Sequence, residues 1–552
     1  MSRRLESHAV PLGRVPTVLL VLSLAVALPL LPAAAPLRAD GEAAAAAVDE
    51  QDLIFLGLTF RNQVKDYLER EGASERVRAI AEESAAWRGA PGGDPVARFR
   101  TLAEGFNLIT WGAWDESRQI ATVLDLRLSA KLYEPGAAVT ARLASLWDHP
   151  ERFSHHYLVK LSLHGPEGTE VAAAKPAHLH GAPAVGQPKE MTLALPADAP
   201  SGRYRVRYAL VPHLHDGKDA APVLEAERTL FVVPDLEARL LKLESALAAA
   251  AEPATEAAKL ARSTVRWYFD TYRRGQREDV PGAYSDHPLF MTAGLSASGF
   301  ASERMEFDRE LALAETLGSR LAGGGAASDQ SHADPLRALE GDLRFAYTSP
   351  VDGERVPFRL FVPAGLDASQ RHPLVVALHG AGGDENAFME RYQGLYKKEA
   401  QARGYLAAAV NGRGPYTGYR GPAAQDVLDV ADLVERLWSV DADRVYLMGH
   451  SMGGMGTVLV GFDHADRFAA LAPIAGFGQA SQLAKDPGMP IFLGQGERDA
   501  LVPVEAARAF HEAAKNEGRT VVYVEKAGVD HIAIVDQVMA AVFDFFDAQR
   551  RN

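Results

Sequence analysis

Val445-Tyr446-Leu447-Met448-Gly449-His450-Ser451-Met452-Gly453-Gly454 is the stretch on which the fold of this 552-residue chain turns. A short apolar run of strand character enters Gly-x-Ser-x-Gly, and a small-residue segment of helical character leaves it. A chain that reverses so sharply strains the serine backbone and leaves no room for flanking side chains. Gly449 and Gly453 provide that clearance. Ser451 then stands exposed at the C-terminal end of its strand, with the backbone N–H of Met452 aimed at any oxyanion formed there.

Downstream, the chain offers partners for such a serine. Met489-Pro490-Ile491-Phe492-Leu493-Gly494 reads as a buried strand, followed by the turn Gly496-Glu497-Arg498-Asp499. Thr520-Val521-Val522-Tyr523-Val524 reads as the next strand, and Lys526-Ala527-Gly528-Val529-Asp530-His531 places a histidine on the loop beyond it. Asp499 is the candidate acid and His531 the candidate base. Upstream, Leu374-Val375-Val376-Ala377-Leu378 ends in His379-Gly380-Ala381-Gly382-Gly383-Asp384, a glycine-rich turn from which a second oxyanion N–H comes. Among rival bases, His450 adjoins the serine but points elsewhere in an elbow turn, His379 supports the oxyanion loop, and His511 falls in a predicted helix. Among rival acids, Asp530 is too close in sequence to reach the ring of His531 easily, and Glu497 competes from two residues away.

The chemistry accounts for the residue types. A serine hydroxyl is a poor nucleophile at neutral pH, so an imidazole must take its proton during attack and return it to the leaving group. A buried carboxylate fixes the imidazole tautomer and stabilises the imidazolium. The scheme requires no metal and no other cofactor. Residues from about 340 to 548, roughly two fifths of the chain, resemble an α/β-hydrolase of the esterase and dienelactone-hydrolase-like group, close to the catalytic domain of prolyl oligopeptidases. The resemblance implies Ser451 as nucleophile, His531 as general base, Asp499 as its orienting partner, and Met452 and Ala381 as oxyanion donors, with either N–H of the Ala381-Gly382 pair open as the second donor. Gly449, Gly453, His379, Gly380 and Gly382 then support the elbow and the oxyanion loop.

Working outward, Phe345 to Thr348 and Val356 to Val362 read as strands, Asn386 to Arg403 as a helix, Leu406 to Val410 as a strand and Ala423 to Leu437 as a helix. Phe468 to Ile474 and Val535 to Phe546 continue the alternation, which implies a mostly parallel sheet covered on both faces. This α/β catalytic domain is expected over 336–552. Ahead of it, 235–335 reads as helices with a stripe of Leu236, Leu240, Leu243 and Leu247, ending in a glycine-rich junction from Gly323. A connector is the simpler reading of these helices, and a lid the alternative.

From 120 to 234 the period changes to two. Leu124, Leu126 and Leu128 alternate with Asp125 and Arg127, and Tyr204, Val206 and Tyr208 with Arg203, Arg205 and Arg207. This pattern reads as a β-sandwich, with an immunoglobulin-like module as the best description. His178-Leu179-His180 and His213-Leu214-His215 invite a metal reading, because residues two apart on a strand face the same way. Exposed loop histidines are the plainer reading, so no metal site is assigned. The alternating arginines read as a solvated strand face. Residues 41–119 are mostly helical, with Phe60, Val64 and Leu68 on one face.

Residues 1–40 are not fold. Arg3, Arg4 and Arg14 precede an apolar run from Val15 to Leu31 and then Ala33-Ala34-Ala35, the pattern of a secretory signal. An uncleaved anchor is the alternative, and either exports the remainder to a secreted or periplasmic location. No later segment is apolar for long enough to span a membrane. The formal net charge of −14 argues against nucleic acid or anionic membrane as a partner. The absence of cysteine excludes disulfides, thiolate metal sites and a cysteine nucleophile. The leading expectation is a secreted serine hydrolase of carboxylic esters acting through an acyl-enzyme on a small-molecule or polymer-linked ester. A prolyl-oligopeptidase-like peptidase ranks lower because no blade-length repeat is present. A non-catalytic binding protein that uses the sandwich is the third reading.

Overall fold

Alternation between strand and helix periods divides the chain into segments that the computed structural model describes over residues 50–69, 73–87, 94–147, 156–213, 220–277, 307–323 and 334–551, apart from 185, 337, 368, 415, 486, 487 and 500. The expected signal over 1–40, His215 and most of the glycine-rich junction lie outside the described residues. Helices α1 (Glu50–Leu68), α2 (Glu75–Ala86) and α3 (Pro95–Trp111) enclose a small core in which Phe60 meets Phe106 edge-on at 5.3 Å. The carboxylate of Asp94 caps α3 by accepting the Val96 N–H, and Pro95 occupies the first turn, where its missing N–H costs nothing. Helix continues where a strand was expected. Ile120 to Val123 complete α4 (Glu116–Val123), because Asp115 caps that helix through the Arg118 N–H and recruits a run of otherwise strand-prone residues.

Strands β1 (Leu124–Leu128), β3 (Ala138–Ser145) and β7 (Lys189–Ala194) pair in an antiparallel sheet in the order β1-β3-β7. A second sheet runs β2-β9-β8-β4-β5, with β6 also paired to β4, from β2 (Leu132–Tyr133), β4 (His156–His164), β5 (Glu170–Ala173), β6 (Ala177–Leu179), β8 (Gly202–His213) and β9 (Leu224–Val232). Leu126, Val139 and Leu193 from the first sheet share one core with Val159, Val206, Tyr208 and Leu230 from the second, so the two form a β-sandwich. Arg205 and Arg207 turn outward and pair with Glu227 on the neighbouring strand, at 3.6 and 2.5 Å. Asp125 departs from simple alternation. It is buried and accepts Arg228 Nη2 at 2.6 Å, while Arg228 Nε donates to the Leu126 carbonyl at 2.5 Å.

Helices α5 (Leu236–Ala249), α6 (Glu256–Gly275) and α7 (Phe307–Leu321) carry the leucine stripe into a continuous core that also holds Leu132 and Phe231 of the sandwich and Phe345 and Phe358 of the third sheet. A Cβ at Gly275 would fall 2.8 Å from Leu132, so the closeness of that joint depends on a glycine. On the other side, α6 lies along β10 (Gly341–Thr348), with the Tyr268 hydroxyl donating to the Arg344 carbonyl at 3.0 Å.

The third sheet contains β10, β11 (Arg355–Val362), β12 (His372–Leu378), β13 (Leu406–Val410), β14 (Val440–His450), β15 (Ala470–Ile474), β16 (Ile491–Gly496) and β17 (Val521–Lys526). Their order is β10-β11-β13-β12-β14-β15-β16-β17, parallel from β13 onward, with β11 antiparallel to both of its neighbours. Alternate residues of the central strands enter opposite cores, as Leu374 and Val376 do against Val375 and Ala377. Helices α8 (Ala387–Glu390), α9 (Leu395–Arg403), α10 (Pro422–Leu437), α11 (Met452–Asp463), α12 (Val504–Asn516) and α13 (Ala533–Asp547) accompany it. The helix expected over Asn386–Arg403 is broken between α8 and α9, where Tyr392, Gln393 and Gly394 all adopt positive φ. Three successive left-handed residues cannot continue a right-handed helix.

Direction of travel reverses at β12. The chain leaves it for β13 on one side and returns to β14 on the other, so β12 and β14 are neighbours and their C-terminal loops open at a topological switch point. Asp125 Oδ2 also accepts Arg127 Nε at 2.9 Å, so removing Arg228 takes away the buried half of the carboxylate's pairing without leaving it unpaired. Arg228→Ala is expected to destabilise the protein by roughly 1.5–3 kcal/mol, read from urea unfolding; a loss below about 1 kcal/mol would mean that Arg127 alone satisfies Asp125.

Candidate active site

Ser451 links β14 to α11 with φ 56 and ψ −117, a backbone conformation that side-chain-bearing residues rarely adopt. The surroundings enforce it. A Cβ at Gly449 would lie 2.2 Å from the Gly453 carbonyl oxygen, and one at Gly453 would lie 2.0 Å from that of Leu378. Gly476, which sequence reasoning missed, is equally constrained: its Cβ would fall 2.0 Å from the Ser451 carbonyl oxygen. The Ser451 N–H donates to the Ile474 carbonyl at 2.8 Å, extending the β14–β15 pairing into the turn.

Gly496 ends β16 with its α-carbon so close to the loop after β17 that a Cβ would meet the Val529 carbonyl at 2.4 Å. The Arg498 N–H donates to that carbonyl at 2.9 Å, and the Gly528 N–H donates to the Glu497 carboxylate at 2.7 Å. The two loops are thereby joined, and Asp499 is brought beside His531. Asp499 Oδ2 accepts His531 Nδ1 at 2.7 Å, and His531 Nε2 faces Ser451 Oγ at 2.8 Å. A carboxylate only accepts, so Nδ1 carries the ring proton and Nε2 keeps the lone pair that accepts the serine hydroxyl. Asp499 Oδ1 accepts the Leu501 and Val502 N–H groups at 2.9 and 2.8 Å, and Gln495 Nε2 donates to Oδ2 at 3.2 Å. The rival acids are engaged elsewhere. Asp530 accepts the Ile532 and Ala533 N–H groups at the start of α13, and Glu497 holds Gly528.

The glycine-rich loop after β12 lies against these three side chains. A Cβ at Gly380 would fall 3.3 Å from Ser451 Cβ, and Gly382, with φ 78, completes a turn in which the Gly383 N–H donates to the Gly380 carbonyl at 3.0 Å. Ala381 lies on that turn, and Met452 opens α11, where a helix has no internal acceptor for its first N–H. His379 is buried with its ring nitrogens 2.8 and 2.7 Å from the Gly380 and Asn411 carbonyl oxygens, and so braces the loop. Asp384-Glu385-Asn386, which the sequence reading quoted only as the end of the turn and the start of a helix, anchors the loop's far end. Glu385 is fully buried against Arg344 and Asn411, and burial beside Glu385 raises the Asp384 carboxyl above its ordinary range. The N-terminal helices also reach the site: Tyr416, in the loop after β13, is buried in their core, and Ala381 packs against the same cluster. The helices of 235–335 instead cover β10, four places along the sheet from β14.

The ring of His450 points to neither Ser451 Oγ nor Asp499, as read, but it does reach the backbone of His531: Nε2 lies 2.8 Å from the His531 carbonyl oxygen, and the ring is 4.8 Å from the ring of His531. Burial lowers the His450 pKa to about 3. His511 stacks on Tyr523 at 4.9 Å. In the sandwich, His178, His180 and His213 gather around His156, with His156 Nε2 and His178 Nδ1 2.8 Å apart and His156 stacked on His180 at 4.2 Å. Among the described residues, no group of three or more histidine or acidic side chains is arranged to hold a metal ion. No helix among them is long and apolar enough to cross a membrane.

Residues 375–525 match the model of the alpha/beta hydrolase family. That span runs from β12, the strand before the glycine-rich loop, to β17, and its strand order is the one described above. The C-terminal domain has the α/β-hydrolase fold. NocK of Nocardia uniformis subsp. tsuyamanensis, a protein whose name describes it as an esterase, is 32% identical to this chain over 173 residues, which is 28% of this chain and 48% of that one. The bifunctional acetylxylan esterase/xylanase XynS20E of Neocallimastix patriciarum is 27% identical over 157 residues, 27% of this chain and 22% of that one. The matches thus span about half of the first relative and about a fifth of the second. Among solved structures, a thermostable esterase aligns over 77% of this chain and 99% of its own at 16% identity and a TM-score of 0.34.

Two outcomes follow for this hydrolase domain. Gly453→Ala drives a methyl group into backbone and should cost more than about 3 kcal/mol, seen as a depressed melting temperature; an unchanged one would show that the elbow has room to open. His450 is neutral in the fold down to about pH 3 but protonates near 6.5 once unfolded. Between those values the unfolded chain binds the extra proton, so stability falls as pH falls, by up to about 1.4 kcal/mol per pH unit from this group. Melts across that window should show a shallower acid slope for His450→Gln than for wild type, and equal slopes would assign the acid limb to other groups.

Proposed function

We propose that this protein is a serine carboxylic-ester hydrolase that works through an acyl-enzyme. The observation that carries this reading is the unbroken pair of hydrogen bonds from Asp499 through His531 to Ser451, at 2.7 and 2.8 Å, on a strained elbow. In this scheme Ser451 Oγ attacks the ester carbonyl carbon as its proton passes to His531 Nε2, and Asp499 stabilises the imidazolium that forms. The backbone N–H groups of Met452 and Ala381 receive the oxyanion, each worth about 10²–10³ in rate. Collapse breaks the bond to the alcohol, which takes the proton from His531. A water, deprotonated in turn by His531, attacks the acyl-serine carbonyl and releases the acid and Ser451. No step calls for a cofactor.

The esterase names of the two curated relatives support the choice of ester over amide. We read the chain as exported by the segment at 1–40, with the sandwich and helical segments as modules ahead of the catalytic domain, and its substrates as small-molecule or polymer-linked esters.

Turnover of short-chain p-nitrophenyl esters is the test, run beside a proline-containing peptide amide. Ser451→Ala should abolish ester turnover, and Asp499→Asn should lower kcat by roughly 10⁴ by favouring the wrong tautomer. Amide cleavage that is lost in Ser451→Ala would replace this reading with a peptidase, and ester turnover that survives in Ser451→Ala would reject the mechanism.

A further inference from the structure

His450 sits between the glycine that opens the elbow and the serine that ends it, yet its ring reaches the backbone of the residue proposed as base. A carbonyl oxygen only accepts, so the 2.8 Å contact to the His531 carbonyl places the proton of His450 on Nε2. Nδ1 is then a lone pair, and the Tyr392 hydroxyl, 3.2 Å away, donates to it. The partners therefore select one tautomer. Burial, with His531 and Arg391 acting in the same direction and Asp499 against them, keeps the ring neutral. The Tyr392 hydroxyl is buried as well, so it keeps its proton to about pH 12; Asp536 favours that and Arg391 opposes it.

Tyr392 belongs to the kink between α8 and α9. Its φ is 55 and that of Gln393 is 54, strained values for residues with side chains, which persist only where surrounding contacts hold them. Gln393 Nε2 donates at 3.0 Å to Asp536 Oδ2 in the first turns of α13, just beyond His531. The kink thus grips the end of the elbow strand through one residue and the helix after the base through the next. The His531 segment lies between these two grips.

We propose that His450 is a positioning residue: its Nε2–H, set in that tautomer by Tyr392, fixes the His531 peptide so that the imidazole stays in line between Asp499 and Ser451. The inference rests on the serine-hydrolase reading. A merely space-filling role predicts something different, because phenylalanine fills much of the same volume and cannot donate.

The experiment compares His450→Phe, His450→Gln and Tyr392→Phe with wild type by melting temperature, by kcat and KM on p-nitrophenyl butyrate, and by ¹⁵N shifts of the imidazoles. In His450→Phe, kcat should fall by roughly tenfold to a hundredfold, with KM within about twofold of wild type. His450→Gln, whose amide N–H takes the place of Nε2–H, should regain most of that loss even where its stability is no better. In Tyr392→Phe the ¹⁵N spectrum should show His450 divided between tautomers, with an intermediate kcat. Equal kcat in His450→Phe and His450→Gln overturns the proposal, as does a wild-type spectrum with His450 protonated on Nδ1. A wild type that turns over no ester and does not label with a fluorophosphonate overturns the hydrolase reading instead, and the tautomer measurement still decides the assignment of His450.

Discussion

Close approach of backbone to backbone at the elbow is the constraint on which this structure depends. Ser451 can hold its unusual φ and ψ only because three glycines let carbonyl groups approach to where any Cβ would clash with them. That approach seats α11 directly on the end of β12, since the Leu378 carbonyl is the atom that would meet a Cβ at Gly453. The loop after β12 is thereby forced against Ser451. Elbow and glycine-rich loop are consequences of one packing arrangement, and the parallel register of Leu378 with Gly449 carries it. Strain at the serine is stable because the rest of the sheet over-determines it.

The same logic accounts for what was legible in the sequence. Glycine spacing around Ser451 reports a local steric need, so the elbow could be read from ten residues. Asp499 and His531 were legible because each follows an apolar run that ends in a turn, and strand order then brings β16 and β17 together. The stitching that closes the two loops was not legible, because it depends on Gly496, Glu497 and Gly528 meeting across 31 residues. Gly476 was missed for a related reason: its clash is with a carbonyl 25 positions earlier, and nothing nearby marks it. The contacts of His450 were not legible because an elbow position was judged by its neighbours along the chain, whereas its partners, Tyr392 and His531, lie 58 and 81 positions away.

Secondary structure failed in two places for identifiable reasons. Asp115 overrode the strand preference of Ile120 to Val123 by capping a helix, a short-range effect that alternation counting cannot detect. The run Asn386–Arg403 broke at Tyr392 and Gln393, residues with no intrinsic preference for positive φ, so the break comes from tertiary contacts alone. Alternation in the sandwich was read correctly apart from Asp125, whose burial is offset by Arg228 on a facing strand. A buried ion pair between two sheets fixes their relative position more than it adds stability, since a well-packed apolar pair would serve about as well energetically.

Buried charge is also concentrated where the glycine-rich loop leaves the candidate site. Arg344 bridges Glu385, beside that loop, to Glu310 of α7, and the Tyr272 hydroxyl of α6 donates to Glu310 at 2.8 Å. Arg359 similarly joins Asp342, Asn386 and Glu390. Each group is costly to desolvate, and together they satisfy one another only in a single arrangement. An apolar core at this place would tolerate sliding of the loop by fractions of an ångström; interlocked charges do not. The helices over β10 therefore bear on the site despite their distance along the sheet, through Glu310 and Arg344 to the residue that follows the loop. The N-terminal helices approach the same loop from its other side at Ala381. Both helical segments converge on a loop of the site that, unlike the joined loops of Asp499 and His531, is held from outside the sheet, which is where such support has the most to contribute.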